Sequence, residues 1–235
     1  MRDVNFELCA GESLVILGPN GSGKTTLLRT LLNLQPPSGG RILFGFEAGR
    51  NVISQCAYVP QSNAGGLDGF TSREVIQIGL MARKPWYSRP DAHEASQAAK
   101  ALETLGIGAL ADENFSAISG GEQQLVLIAR ALAMDAKIIF FDEPAASLDI
   151  ANQYHFTVLC LRLKQSGVAL VLTTHNPQQA LALGESPRDQ TLTISRAGSV
   201  TVGATSSVCT TAHLTALYGV PVNVIVTASG AIARL

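Results

Sequence analysis

The 235-residue sequence predicts an α/β fold built on a mainly parallel sheet, with a helical segment inserted midway. Three observations carry this. Continuous apolar runs at residues 13–17, 137–141 and 168–172 have the length and composition of strands buried on both faces. A glycine-rich turn at 18–25 joins the first run to a segment of helical period at 25–34. Between about 71 and 133 the pattern is almost wholly helical, broken at Lys84-Pro85-Trp86-Tyr87-Ser88-Arg89-Pro90, before strand–helix alternation resumes.

Taken in order, residues 3–8 alternate and read as a half-buried strand, after which Ala10-Gly11-Glu12 turns the chain. The first helix stops at Gln35-Pro36-Pro37-Ser38-Gly39-Gly40, and 41–46 and 57–59 read as further strands. Beyond the helical insertion, a helix at 150–165 leads to a strand at 168–173 and a helix at 177–183. Residues 191–195 and 199–202 flank Arg196-Ala197-Gly198 as a hairpin. A helix at 211–218, C-capped by Gly219, and an apolar strand at 222–226 complete the pattern.

Composition narrows the function classes. Lys and Arg number 17 against 18 Asp and Glu, so a net charge of -1 gives no global attraction to nucleic acid or anionic lipid. Only 15% of residues are charged, and the mean hydropathy is +0.23. A deeply buried sheet, or apolar surface kept for partner subunits, would each explain this. No apolar run approaches the roughly 18 residues of a spanning helix. No apolar stretch follows the first basic residue, so no signal peptide is visible. Cys9, Cys56, Cys160 and Cys209 lie far apart, without CxxC or nearby His, and read as buried free thiols of a cytosolic chain.

Gly18-Pro19-Asn20-Gly21-Ser22-Gly23-Lys24-Thr25 matches the phosphate-binding pattern GxxxxGK[ST], between a buried strand and a helix as that motif requires. Its glycines let backbone N–H groups curl around phosphates at the positive end of a helix. Lys24 would reach the β- and γ-phosphates and Thr25 would ligate Mg²⁺. Ile138-Ile139-Phe140-Phe141-Asp142-Glu143 is an apolar strand ending in two carboxylates. It is expected beside the phosphate-loop strand, with Asp142 holding Mg²⁺ directly or through water and Glu143 polarising the attacking water. Ser119-Gly120-Gly121-Glu122 forms a capping box for the helix at 123–134. The two glycines, which weaken a first helical turn, suit close backbone approach by an anion.

These motifs, in this order, resemble the ABC ATPase family from about residue 3 onward. The phosphate loop and the Asp142-Glu143 pair match its Walker A and B motifs. Ile118-Ser119-Gly120-Gly121-Glu122 is similar to the family signature, with Ile and Glu in place of Leu and Gln. Gln61 falls where the Q-loop glutamine belongs, Ser147-Leu148-Asp149 resembles the D-loop, and His175 resembles the switch histidine, with Asn176 where Asp is more usual. The resemblance implies a RecA-like, mainly parallel core with an antiparallel β subdomain, spanning about 1–70 and 135–235. It also implies a helical signature subdomain at about 71–134. ATP would be bound by Gly18, Pro19, Asn20, Gly21, Ser22, Gly23, Lys24, Thr25 and Thr26. Ser119, Gly120 and Gly121 would contact ATP held by a second copy of the chain. Mg²⁺ would be held by Thr25, Asp142 and Gln61, with Glu143, His175 and Gln61 acting on the γ-phosphate and water. His93, His155 and His213 match nothing and read as ordinary helix residues.

Within the family, Gln123-Gln124-Leu125-Val126-Leu127-Ile128-Ala129-Arg130, the stretch from Ala145 through Gln153 and Leu214-Thr215-Ala216-Leu217-Tyr218-Gly219-Val220-Pro221-Val222 are similar to importer ATPases for iron-siderophore, haem, cobalamin or molybdate. Such a subunit sits peripherally on the cytoplasmic face of the inner membrane. There it works with two permease subunits and, indirectly, a substrate-binding protein. Residues 62–73, rich in glycine, would meet the permease, with Phe70 as an apolar anchor or a core residue. A non-transport ABC ATPase acting on DNA or ribosomes would carry coiled-coil insertions, tandem cassettes or basic arms, which this sequence lacks; no nucleic-acid partner is expected. Family members usually carry an adenine-stacking aromatic some fifteen residues before the segment resembled by residues 2–6. That position has no counterpart here, so either translation starts upstream or the first strand is missing, and adenine would be held loosely.

Overall fold

The computed structural model describes residues 3–45, 55–61, 66–81, 84, 90–227 and 230–234. β1 (Ser13–Leu17) runs into α1 (Lys24–Leu31), followed by β2 (Cys56–Val59). Three helices form the insertion: α2 (Ser72–Met81), α3 (Ala92–Thr104) and α4 (Gly120–Ala133). The alternation then continues through β3 (Ile138–Asp142), α5 (Ile150–Gln165), β4 (Ala169–Thr174), α6 (Pro177–Leu183), β5 (Gln190–Ile194) and β6 (Val200–Ala204). Two short helices, α7 (Thr205–Val208) and α8 (Thr211–Tyr218), precede a hairpin of β7 (Asn223–Thr227) and β8 (Gly230–Arg234).

The main sheet has the order β2-β3-β4-β1-β5-β6, parallel except for β6, which pairs antiparallel with β5. Every residue of β1, β3 and β4 is buried, because helices cover both faces and each apolar side chain finds a packed layer. On β1, Leu14 and Ile16 face one core with Leu28 and Val171. Val15 and Leu17 face the other, with Val126, Ile139 and Leu172. Helix starts follow their caps: Asp91 and Ser119 form capping boxes on α3 and α4, Asp149 caps α5, and Asn176 with Pro177 opens α6.

Three expectations need correction. The strand ending in Asp142 does not adjoin β1; β4 lies between them, with Asp142 level with Thr173 and Thr173 level with Ile16. Residues 3–8 and 41–45 alternate as expected, with Val4, Phe6, Leu8 and Phe44 packed on the core, yet form no strand ladder among the described residues. Alternation buries a face but does not supply a hydrogen-bonding neighbour. The hairpin expected at 191–202 is present as antiparallel β5–β6, and an unanticipated β8 pairs antiparallel with β7. Lastly, Cys9 is an exposed thiol, whereas Cys56, Cys160 and Cys209 are buried as expected. Phe70 is exposed; Phe46, residues 62–65 and most of the break at 84–90 lie outside the described residues.

Candidate active site

The carboxyl ends of β1, β2, β3 and β4 bring six of the sequence-predicted residues together: Lys24, Thr25, Gln61, Asp142, Glu143 and His175. From Gly18 the loop turns into α1 at Gly23, whose φ of 99° no L-residue adopts readily. Gly18 is also confined: a Cβ there would stand 2.4 Å from the Ile194 carbonyl oxygen of β5. No side chain caps α1 and no acidic residue sits in its first turn, so its leading amides remain a positive pole for an anion. Ser22 Oγ is buried without a hydrogen-bond partner among the described residues, a donor fitted to a phosphate oxygen. Lys24, only 5% exposed, has its ammonium 2.9 Å from Gly18 O and 3.2 Å from Pro19 O. Asn20 and Thr26 are exposed on the loop and first turn.

The acidic pair sits across from this loop. Asp142 is buried at the end of β3, where Thr25 Oγ1 donates to its Oδ1 at 3.0 Å and Thr173 Oγ1 donates to the same atom at 2.6 Å. Tyr58 of β2 donates to Oδ2 at 3.4 Å, and its phenol is pushed up by burial and then by the Asp142 charge. Thr25 and Asp142 thus present hard oxygen donors side by side, a donor set suited to Mg²⁺.

Glu143 follows with φ of 46°, a left-handed conformation that costs a non-glycine residue about 1–3 kcal/mol. The turn is pinned through its amide, 3.2 Å from Thr173 O and 2.9 Å from Thr173 Oγ1. The carboxylate lies 3.0 Å from Lys24 Nζ, 3.1 Å from His175 Nδ1 and 3.4 Å from Gln61 Nε2. Burial pushes its pKa up, but Lys24 and then His175 outweigh burial and hold it below the ordinary glutamate value. Glu143 is therefore ionised at neutral pH and available as a base.

His175 is fixed from behind: Tyr218 Oη of α8 donates to its carbonyl at 2.8 Å. Gln124 Nε2 of α4 likewise donates to Pro60 O at 3.3 Å, tying that helix to the segment carrying Gln61. Among the described residues, no hydrogen bond joins Ser119, Gly120 or Gly121 to the cluster. The Ser119 hydroxyl and amide bond to Glu122 at 2.6 and 2.8 Å, the expected capping box, and a Cβ on Gly121 would be 3.2 Å from Ser147 O of the D-loop segment. Sequence reading missed Thr173, Tyr58 and Tyr218. All three were without a local signal, since Tyr58 and Thr173 meet Asp142 only through the pairing of β2 and β4 with the strands around them.

A phosphate-cradling loop, a lysine, a strand-end aspartate and an ionised glutamate at the carboxyl edge of a parallel sheet define a P-loop nucleotide-hydrolysing protein. Residues 1–146 match the ABC transporter family, and the chain belongs to it. It is 34% identical to the molybdate import ATP-binding protein MolC of Haemophilus influenzae, over 94% of this chain and 82% of that one. It is also 34% identical to the hemin import ATP-binding protein HmuV of Rhodococcus jostii, over 96% and 76%. Zinc and manganese transport ATP-binding proteins stand among the other relatives. The fold matches a metal-chelate type ABC transporter solved in an inward-facing conformation, with a TM-score of 0.83 and 30% identity over 98% of this chain and 88% of that one. The chain is the ATP-binding, ATP-hydrolysing subunit of an ABC transporter. No described helix is long and apolar enough to cross a membrane.

Proposed function

We propose that this ATPase powers import of a metal or metal chelate, two copies sandwiching two ATP molecules against two permeases at the cytoplasmic membrane face. The observation that supports the pairing is the hydrogen-bond pattern. Lys24, Thr25, Asp142, Glu143, His175 and Gln61 converge, whereas the described side-chain bonds of Ser119 stay within its own capping box with Glu122. In this reading the signature serves the phosphate loop of another copy.

In this reading the backbone N–H groups of the loop after Pro19, with Ser22 Oγ and Lys24, bind the phosphates. Thr25, Asp142 and Gln61 would hold Mg²⁺, which supplies charge neutralisation on the phosphate oxygens. Glu143 takes the proton of the attacking water, and His175 donates toward the γ-phosphate. Gln61 links the site to the permease, and residues 71–134 act as a helical subdomain beside the core. The cargo class follows the relatives, which extend the expected chelates and oxyanions to zinc and manganese.

Mixing Ser119→Arg subunits with Lys24→Ala subunits tests the pairing, since each heterodimer retains one intact composite site. Turnover well above that of either variant alone is expected; none regained contradicts the sandwich. For the cargo, elemental analysis of a deletion strain should show loss of one among iron, molybdenum, cobalt, zinc and manganese, restored by the wild-type gene and not by Glu143→Gln. Unchanged uptake of all five would refute the cargo class.

A further inference from the structure

The signature helix and the helix after the D-loop begin alike. Ser119 caps α4 and Asp149 caps α5, and the residue four beyond each cap is a glutamine, Gln123 and Gln153. Their backbone amides donate to the cap carbonyls at the same distance, 2.8 Å in both. The side chains then repeat the pattern. Gln123 Nε2 donates to Phe115 O at 3.0 Å and Ile118 O at 3.3 Å. Gln153 Nε2 donates to Ala145 O at 3.2 Å and Leu148 O at 3.0 Å. In each case the accepting carbonyls lie one and four residues before the cap. An amide nitrogen with two N–H groups suits this double reach, which a carboxylate, having no donor, could not make. Carbonyls in irregular half-buried loops need such partners. The two stapled segments also abut, since a Cβ on Gly121 would come within 3.2 Å of Ser147 O.

We propose that Gln123 and Gln153 are positioning residues that preset the signature and D-loop segments as one surface for the second copy. This rests on the paired reading above. Neither side-chain nitrogen bonds to Lys24, Asp142, Glu143 or His175; both are spent on the loops. Loss of either amide therefore degrades what a subunit offers in trans and leaves its own phosphate loop intact. Holding reacting groups in place is worth much: a displacement of about 1 Å can cost on the order of 100-fold in rate.

The experiment uses the full chain with Gln123→Met and Gln153→Met, which keep length and remove the donors. Each variant alone should bind a fluorescent ATP analogue as wild type does and lose about ten- to a hundred-fold in ATP turnover. Mixed with Lys24→Ala subunits, each should regain turnover, because the Lys24→Ala partner supplies the intact stapled surface to the variant's own phosphate loop. A variant that turns over at the wild-type rate overturns the proposal. So does a mixture that regains nothing while the Ser119→Arg control mixture does, because the defect would then lie in cis. If the control mixture also fails, the pairing itself is refuted and the inference falls with it. Should a Met variant not fold, Gln123→Asn and Gln153→Asn, too short to span both carbonyls, carry the same test.

Discussion

Asp189 to Ala is expected to be among the most destabilising single substitutions in the chain. Its carboxylate is fully buried and accepts from Ser13 N at 2.9 Å, Ser13 Oγ at 2.8 Å and Ser186 N at 2.9 Å. Lys164 Nζ of α5 completes the set at 2.6 Å and also donates to Leu183 O at 2.6 Å. These bonds tie the first residue of β1 to the end of α5 and to the turn before β5, and so anchor the strand that feeds the phosphate loop. Removing the carboxylate strands a nearly buried ammonium and the buried amide and hydroxyl of Ser13; breaking such a pair from one side typically costs about 3–5 kcal/mol. Total stabilities of ~5–15 kcal/mol make that a large fraction. At roughly 2–4 °C per kcal/mol for a domain of this size, melting should fall by on the order of 10 °C. The double variant Lys164→Met with Asp189→Ala should recover part of the loss, since no unpaired charge remains. Urea unfolding of both variants beside the wild type checks this. A cost below about 1 kcal/mol for Asp189→Ala, the range of an exposed pair, would refute the reasoning.

Two further outcomes follow from the hydrogen-bond pattern. Thr173→Val removes the hydroxyl that donates to Asp142 and accepts the strained Glu143 amide, so about 1–3 kcal/mol of stability and a larger share of turnover should be lost, read by urea unfolding and steady-state ATPase rates. Asp91, which caps α3, has its carboxyl pulled to about 2 by the Glu94 amide, then by Lys84 and the His93 amide. A lowered folded value means that its stabilisation is complete above the unfolded value of about 3.9 and is lost as pH falls toward 2. Asp91→Asn keeps a cap and should flatten the acid dependence of the melting temperature between those limits; an unaltered profile would remove Asp91 from that role.

What the sequence shows of this protein depends on how local each signal is. The phosphate loop, the bounds of β1, α5, α6 and α8, and the capping box at Ser119 are legible because their determinants lie within a few residues. Buried apolar runs end at Gly18 and at Asp142, and the caps Asp149, Asn176 and Thr210 stand directly before their helices. Strand order is not local. That β4 separates β3 from β1 depends on pairings spanning many residues, such as Ser13 with Leu170, which no window of sequence reveals. Residues 3–8 show why alternation is insufficient: Val4, Phe6 and Leu8 do turn inward, but the ladder requires a neighbour. Among site residues, those in the motifs were found by pattern, whereas Thr173 was not. Its function lies in two hydrogen bonds, to Asp142 and from Glu143, that arise only when β3 and β4 lie side by side.

The most direct test of the account is single-turnover ATP hydrolysis by Glu143→Gln beside Lys24→Ala and wild type. Glu143 is pinned by Thr173 and lies beside Lys24, His175 and Gln61, and the proposed role for it is to take the proton of the attacking water. Glu143→Gln should bind ATP as wild type does, hydrolyse it about 10²–10⁴-fold more slowly and accumulate as a closed dimer. Lys24→Ala should lose the nucleotide instead. Hydrolysis by Glu143→Gln at the wild-type rate would contradict the assignment of the base and, with it, the catalytic reading of the site.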